Sequence, residues 1–194
     1  MADSKPITFI NKMTSGDHAL ILQEDDSKAR ELRIKFIKQG LEKGEHCIYV
    51  TAQYDAALFE SKLQENGIDV AKYKETEHLI IVTIQDPFVQ KEGFTTYMSN
   101  VWNKLSFDEK QKTRFACNVI RDIARVEDSQ VKEFIKVEKW LQDEFMNHNF
   151  TILCSCDISN VSGKTGHTFL ENIHNHNSVI FTPKDNPGCG FYLR

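Results

Sequence analysis

The chain has 194 residues, a length at which one domain buries about two thirds of its unfolded surface, so a single domain over 1–194 is expected. Apolar residues make up 40% and charged residues 27%, which excludes a disordered or fibrous protein. The net charge of −4 argues against direct nucleic-acid binding, which normally shows as a basic excess.

Neither membrane insertion nor secretion is expected. No run approaches the roughly 18 apolar residues that span a bilayer, and the opening MADSKPITF lacks the charged start and apolar middle of a signal peptide. The five cysteines lie mostly inside apolar runs, as reduced and buried thiols do. Both features predict a cytoplasmic location with no membrane partner.

After a polar start, the run HALILQ predicts a strand at His18–Gln23. Acidic residues 24–26 follow, with Ser27 as a candidate cap for a helix over Lys28–Glu42. Further strands are predicted at His46–Thr51, Leu79–Thr83, Phe115–Ile120, Phe150–Cys156 and Ser178–Thr182. The helices between them are predicted through Ala57 to Gly67 and near Phe94–Leu105, Gln130–Asn147 and Thr168–His174.

This alternation of strands and helices predicts an α/β fold, a three-layer sandwich with a mostly parallel central sheet. In such sheets a ligand crevice forms outside the carboxyl ends of the strands. The expected crevice loops therefore follow Gln23, Thr51, Thr83, Ile120 and Cys156.

The segment from His18 to Gln53 resembles the opening of the RecA/KaiC class of ATPases, with Gly40, Gly44 and Glu45 reproducing a Gly-x-x-x-Gly-Glu turn. A phosphate-binding loop needs glycines, a lysine and a Ser/Thr. Residues 23–27 read QEDDS instead, and three carboxylates there suit a helix dipole but repel a triphosphate. The fragment SGKT at 162–165 lacks the upstream glycine, because Ile158 stands in that position.

Three segments together resemble the MEDS domain, the methanogen/methylotroph sensory domain, which is regarded as a RecA/KaiC-like fold without the nucleotide-hydrolysing residues. They are Gly-Asp-His18 with 40–50, Glu138 followed by LCSCD at 153–157, and His176 followed by VIF at 179–181. Gln23, Cys156 and Asn177 depart from the family pattern. The resemblance implies ligand-binding roles for His18, Glu24, Glu138, Cys154, Asp157 and His176.

What the resemblance implies is a non-catalytic sensor of small molecules, with hydrocarbon derivatives proposed for the family. Its expected partners are a small-molecule ligand and a separate signalling or regulatory protein, and it could form a homo-oligomer. Two alternatives stay open. One is a divergent nucleotide-binding protein or ATPase of the RecA/KaiC class, and the other is a structural interaction protein.

No catalytic residue, cofactor or metal is predicted. His167, His174 and His176 share the end of the chain, but zinc sites usually need compact spacing with cysteines nearby. Cys154 and Cys156 lie on one side of their strand, and buried packing explains them better than the alternative of a metal or redox role. Glu138 is either a solvated helix residue or part of the crevice. Arginines 114, 121 and 125 flank the predicted strand Phe115–Ile120 and are candidates for holding an anionic ligand.

Overall fold

The computed structural model describes residues 5–105, 111–120, 128–145, 149–159, 176, 178–184 and 190–193. Its helices are α1 (Lys5–Lys12), α2 (Asp26–Glu42), α3 (Gln53–Glu65), α4 (Val70–Glu75), α5 (Phe94–Trp102) and α6 (Asp128–Phe145), with a short 3-10 helix at Pro87–Val89. Its strands are β1 (His18–Gln23), β2 (His46–Ala52), β3 (Leu79–Ile84), β4 (Thr113–Ile120), β5 (Phe150–Asp157), β6 (Ser178–Thr182) and β7 (Gly190–Leu193).

The strands form one sheet in the order β3-β2-β4-β5-β1-β6-β7. The first six are parallel to their neighbours, and β7 pairs antiparallel with β6. Helices cover both faces, so the predicted three-layer, mostly parallel α/β fold is confirmed. β1 lies between β5 and β6, which places its side chains among residues from the second half of the chain.

The central strands are apolar along their length because both of their faces are buried. Side chains alternate between the faces, so Leu20 and Cys154 pack toward α5 and α6, while Ile21 and Leu153 pack toward α1, α2 and α3. Two hydrophobic cores result, one on each side of the sheet. The four apolar residues of β1 divide between them, with Leu20 and Leu22 in one core and Ala19 and Ile21 in the other.

The sequence patterns located β1 and β6 with the bounds that the structure has, and the other predicted strands within two residues. They missed α1, α4 and β7, which are the short elements of eight, six and four residues. The α2 cap is Asp25 rather than Ser27, since the Asp25 carboxylate accepts the Lys28 backbone N–H. The predicted helix at 168–174 and the fragment at 162–165 lie outside the described residues.

The glycines of the Gly-x-x-x-Gly-Glu segment have different roles here. Gly40 lies inside α2, where a Cβ would be 2.6 Å from both Arg114 Cδ and Cys47 Sγ. Gly44 makes the turn into β2 with φ +71°, and Glu45 forms an ion pair with Arg114. Arg114 is therefore buried near the amino end of β4 and is not placed for an anionic ligand, contrary to expectation. Arginines 121 and 125 lie outside the described residues.

Four of the five cysteines are described, and all four are buried and free of disulfides, as predicted. Among the described residues, no helix has the length and apolar character needed to cross a membrane.

Candidate functional site

Four of the six predicted site residues meet in one buried cluster between the sheet and α6: His18, Glu138, Cys154 and His176. His18 begins β1, Cys154 lies on the neighbouring β5, and His176 stands two residues before β6. Glu138 projects from the middle of α6 onto this face. The parallel order β5-β1-β6 thus gathers residues that are up to 158 positions apart in the chain.

The Glu138 carboxylate is the centre of this four-residue cluster. Its Oε2 lies 3.1 Å from His176 Nε2 and 3.5 Å from His18 Nε2. The ligand atoms of His18, Glu138 and Cys154 lie within 4.8 Å of one another, and the two imidazole centroids are 4.2 Å apart. His18 Nδ1 is 2.6 Å from Gln142 Oε1, one helical turn beyond Glu138. This contact fixes the ring so that Nε2 faces the carboxylate.

Burial and neighbouring charge set the protonation states of the cluster. Burial, together with the charge of His176, lowers the pKa of His18 to about 3, so His18 is neutral at neutral pH. Burial opposes ionisation of Glu138, but the hydrogen bond and charge of His176 outweigh it and lower the pKa of the carboxyl. A hydrogen bond with Cys117 and burial raise the pKa of the Cys154 thiol well above its ordinary value. The cluster thus combines a buried carboxylate with the neutral His18 imidazole and the protonated Cys154 thiol.

Glu138 also lines an apolar cavity between α5, α6 and the sheet. The cavity measures about 20 Å³. Its other walls are Val50, Phe94, Met98, Val101, Trp102, Leu105, Phe115, Cys117, Phe134, Val137, Trp140 and Leu141. A cavity needs about 10–15 Å³ to admit one water molecule, so this one is large enough for about one water. It places an apolar chamber directly beside the polar cluster.

The other two predicted site residues, Glu24 and Asp157, are not part of this cluster. They lie at the carboxyl ends of β1 and β5, where Glu24 is exposed and Asp157 accepts hydrogen bonds from the backbone N–H and hydroxyl of Ser159. The buried cluster lies toward the amino end of β1 instead. The expectation of one ligand crevice at the carboxyl ends therefore does not describe where the four buried residues meet.

The turn after β1 uses its backbone donors internally. The N–H groups of Glu24 and Asp25 both donate to the carbonyl of Thr182 at 3.0 Å. The Glu24 carboxylate accepts the backbone N–H of Lys184 at 3.3 Å. This turn is thereby tied to the end of β6.

Sequence reasoning missed a second buried polar network on the opposite face of the sheet. The Asp55 carboxylate accepts hydrogen bonds from Tyr49 at 2.8 Å, Thr51 at 2.9 Å and Asn118 at 3.3 Å. Thr51 and Asn118 interrupt otherwise apolar strands near their carboxyl ends. This interruption of the apolar pattern could have revealed the network from the sequence.

Arg33 belongs to the same region and is fully buried. It donates to Gln23 at 2.8 Å, to Ser155 at 3.1 Å and to Asp26 at 3.0 Å. Arg33 occupies the apolar stripe of α2 between Ala29 and Phe36, and a charged residue in that stripe could have revealed the network.

Comparison with known proteins bears directly on these residues. The family model for MEDS, the methanogen/methylotroph, DcmR sensory domain, matches residues 17–176. The chain belongs to the MEDS family. All four residues of the buried cluster fall within the match, and membership of this sensory family supports a sensory role. Among curated proteins, no match was found.

Solved structures agree with the family assignment at the level of the fold. A KaiC-like protein from the hyperthermophilic archaeon Pyrococcus horikoshii OT3 superposes with a TM-score of 0.59 and 17% sequence identity. The superposition covers 92% of this chain and 78% of that protein. The MEDS chain therefore has a KaiC-like RecA fold.

Proposed function

We propose that this MEDS chain is a non-catalytic sensor whose ligand is a small hydrocarbon derivative, bound in the cavity beside Glu138. The observation that carries the proposal is the double position of Glu138, which belongs to the buried polar cluster and also lines the apolar cavity. A ligand with a short apolar body and one polar end matches this arrangement. Apolar walls with few convergent polar groups are typical of small-molecule sites.

The size of the cavity links ligand binding to movement. At about 20 Å³ the space admits about one water molecule, so a larger ligand must displace part of the wall. α5 supplies Phe94, Met98 and Trp102 to that wall, and it begins after Gly93, whose φ is +83°. A ligand that prefers the displaced arrangement of α5 would shift the population toward it. A separate signalling protein would read that shift.

The turn after β1 favours sensing over nucleotide hydrolysis. Phosphate binding at a strand-to-helix turn requires backbone N–H groups that point at the ligand. Here the N–H groups of Glu24 and Asp25 donate to Thr182, and the Asp25 side chain caps α2. The acidic side chains add repulsion to a triphosphate. We therefore rank the divergent ATPase second.

The two tryptophans offer a direct assay, because the chain has two and both line the cavity. The purified chain is titrated with short alcohols, alkylamines and haloalkanes, and with ATP and Mg²⁺, while tryptophan emission and Tm are followed. A true ligand at 100 times its Kd adds about 2.7 kcal/mol, or about 5–11 °C in Tm. Stabilisation by ATP alone would overturn the proposal in favour of the nucleotide-binding alternative.

Variants of α6 separate cavity binding from surface effects. Glu138→Gln removes the charge and should reduce the response to a ligand with a polar end. Glu133→Gln is the matched control, because Glu133 is on the same helix but lines neither the cavity nor the polar cluster. Equal responses in the two variants would show that the ligand binds elsewhere.

A further inference from the structure

The four-residue cluster has the donor atoms of a metal site. Two imidazole nitrogens, one carboxylate oxygen and one sulfur come from His18, His176, Glu138 and Cys154, and these side chains are 1–2% exposed. A buried carboxylate needs a compensating positive charge. Among the described residues, no lysine or arginine forms an ion pair with Glu138, and the groups nearest its carboxylate are the two imidazoles.

The spacing of these atoms fits four-coordinate binding. Donor atoms around a tetrahedral ion with bonds of about 2.0–2.3 Å are about 3.3–3.8 Å apart. Glu138 Oε2 lies 3.1 Å from His176 Nε2 and 3.5 Å from His18 Nε2, close to that range. Cys154 Sγ lies within 4.8 Å of the donor atoms of Glu138 and His18. His18, Glu138 and Cys154 thus form a compact three-ligand group, and His176 adjoins it through Glu138.

Gln142 supplies the outer-shell contact that metal-bound histidines normally have. Its Oε1 accepts from His18 Nδ1 at 2.6 Å, which leaves the lone pair of Nε2 directed toward Glu138. Ligating histidines almost always donate their second ring N–H to such an acceptor, because this fixes the tautomer. The orientation of His18 is thus already that of a ligand.

We propose that His18, Glu138, Cys154 and His176 bind one divalent ion of the zinc type. The mixture of imidazole, carboxylate and thiolate suits zinc, whereas magnesium and calcium prefer oxygen ligands alone. On binding, the Cys154 thiol loses its proton to solvent and the thiolate bonds to the ion. This inference uses the residues of the proposed sensory site, but its test needs no organic ligand.

Cobalt(II) is the probe, because a tetrahedral cobalt site is coloured and a cobalt–thiolate bond adds a near-ultraviolet charge-transfer band. The full chain is unfolded with chelator, refolded with Co²⁺ and desalted, and its cobalt content and spectrum are measured. One cobalt per chain with both features is expected. A correctly refolded chain that retains no cobalt would overturn the proposal.

Variants assign the bands to individual ligands. Cys154→Ser should abolish the charge-transfer band, while Cys156→Ser, the buried neighbour on the same strand and face, should leave it unchanged. Glu138→Gln should weaken Co²⁺ binding by more than the 10–100-fold expected for Gln142→Leu, which removes an outer-shell contact. A spectrum unchanged in both Cys154→Ser and Glu138→Gln would place the cobalt elsewhere and refute the site.

The cobalt and ligand experiments fail independently. Cobalt binding without any response to the organic panel would leave the metal site and remove the proposed ligand class. A specific ligand response in a chain that binds no cobalt would support the proposed ligand class and remove the metal site.

Discussion

Replacing Asp55 with alanine tests the buried network beneath α2 and α3. Asp55 is 1% exposed and accepts hydrogen bonds from Tyr49, Thr51 and Asn118. Each buried donor left without an acceptor costs about 1–3 kcal/mol. Asn118 is the most distant at 3.3 Å and should contribute at the low end. We expect Asp55→Ala to lower the free energy of unfolding by about 4 kcal/mol, a large part of the typical 5–15 kcal/mol.

Urea unfolding followed by far-ultraviolet circular dichroism measures this loss, and a calorimetric scan should show Tm falling by about 8–16 °C. Tyr49→Phe is the matched control, because it removes one hydrogen bond and keeps the ring stacked on Phe59. It should cost about 1–1.5 kcal/mol. A loss below about 1 kcal/mol for Asp55→Ala, or equal losses for both variants, would refute the network's contribution to stability.

Three further outcomes are expected. Gly40→Ala should destabilise the chain by about 1–3 kcal/mol in urea unfolding, because the new methyl group would lie 2.6 Å from Arg114 Cδ and Cys47 Sγ; a gain in stability, as helix propensity alone predicts, would contradict the close packing. Burial opposes ionisation of Asp55, but the hydrogen bonds to its carboxylate outweigh burial, so the pKa of Asp55 lies below the ordinary 3.8. The ionised Asp55 therefore stabilises the fold above pH 3.8, and this stabilisation is lost as the pH falls below that value. Asp55→Asn should consequently flatten the dependence of stability on pH below about pH 4. An unchanged slope would contradict this role of Asp55. Val137→Ile adds one methylene to the cavity wall and should weaken the ligand response while changing stability by less than about 1 kcal/mol; an undiminished fluorescence response would place the ligand outside the cavity.

The fold was predictable because its central strands are apolar runs separated by amphipathic helices. β1 and β6 were located with correct bounds for that reason. α1, α4 and β7 were not, since elements of eight, six and four residues are too short to stand out in the sequence. Their structure depends on packing against the rest of the chain.

The buried cluster was predictable in its members through the resemblance, but not in its location. Local patterns treated Glu138 as a candidate solvated residue, and the structure buries it because α6 turns that face toward β1 and β5. The general rule for parallel sheets directed attention to the carboxyl ends. The pairing of β1 with both β5 and β6 is a long-range property that periodicity does not contain.

The histidines show the same limit. Spacing along the chain groups His176 with His167 and His174. In the structure its close neighbours are His18 and Glu138, which are distant in sequence. Spacing rules for zinc sites work when ligands share a local loop, and this cluster is assembled from four separate segments.

Two adjacent residues of β5 face opposite sides of the sheet. Cys154 faces the cluster around Glu138, and Ser155 accepts a hydrogen bond from Arg33 on the other side of the sheet. A slip of β5 by one residue would exchange their faces, leaving Arg33 opposite a thiol and Glu138 beside a hydroxyl. The two polar sites therefore specify the register of β5 more strictly than apolar packing alone would. A sheet with β5 out of register would lose the polar contacts of both sites at once.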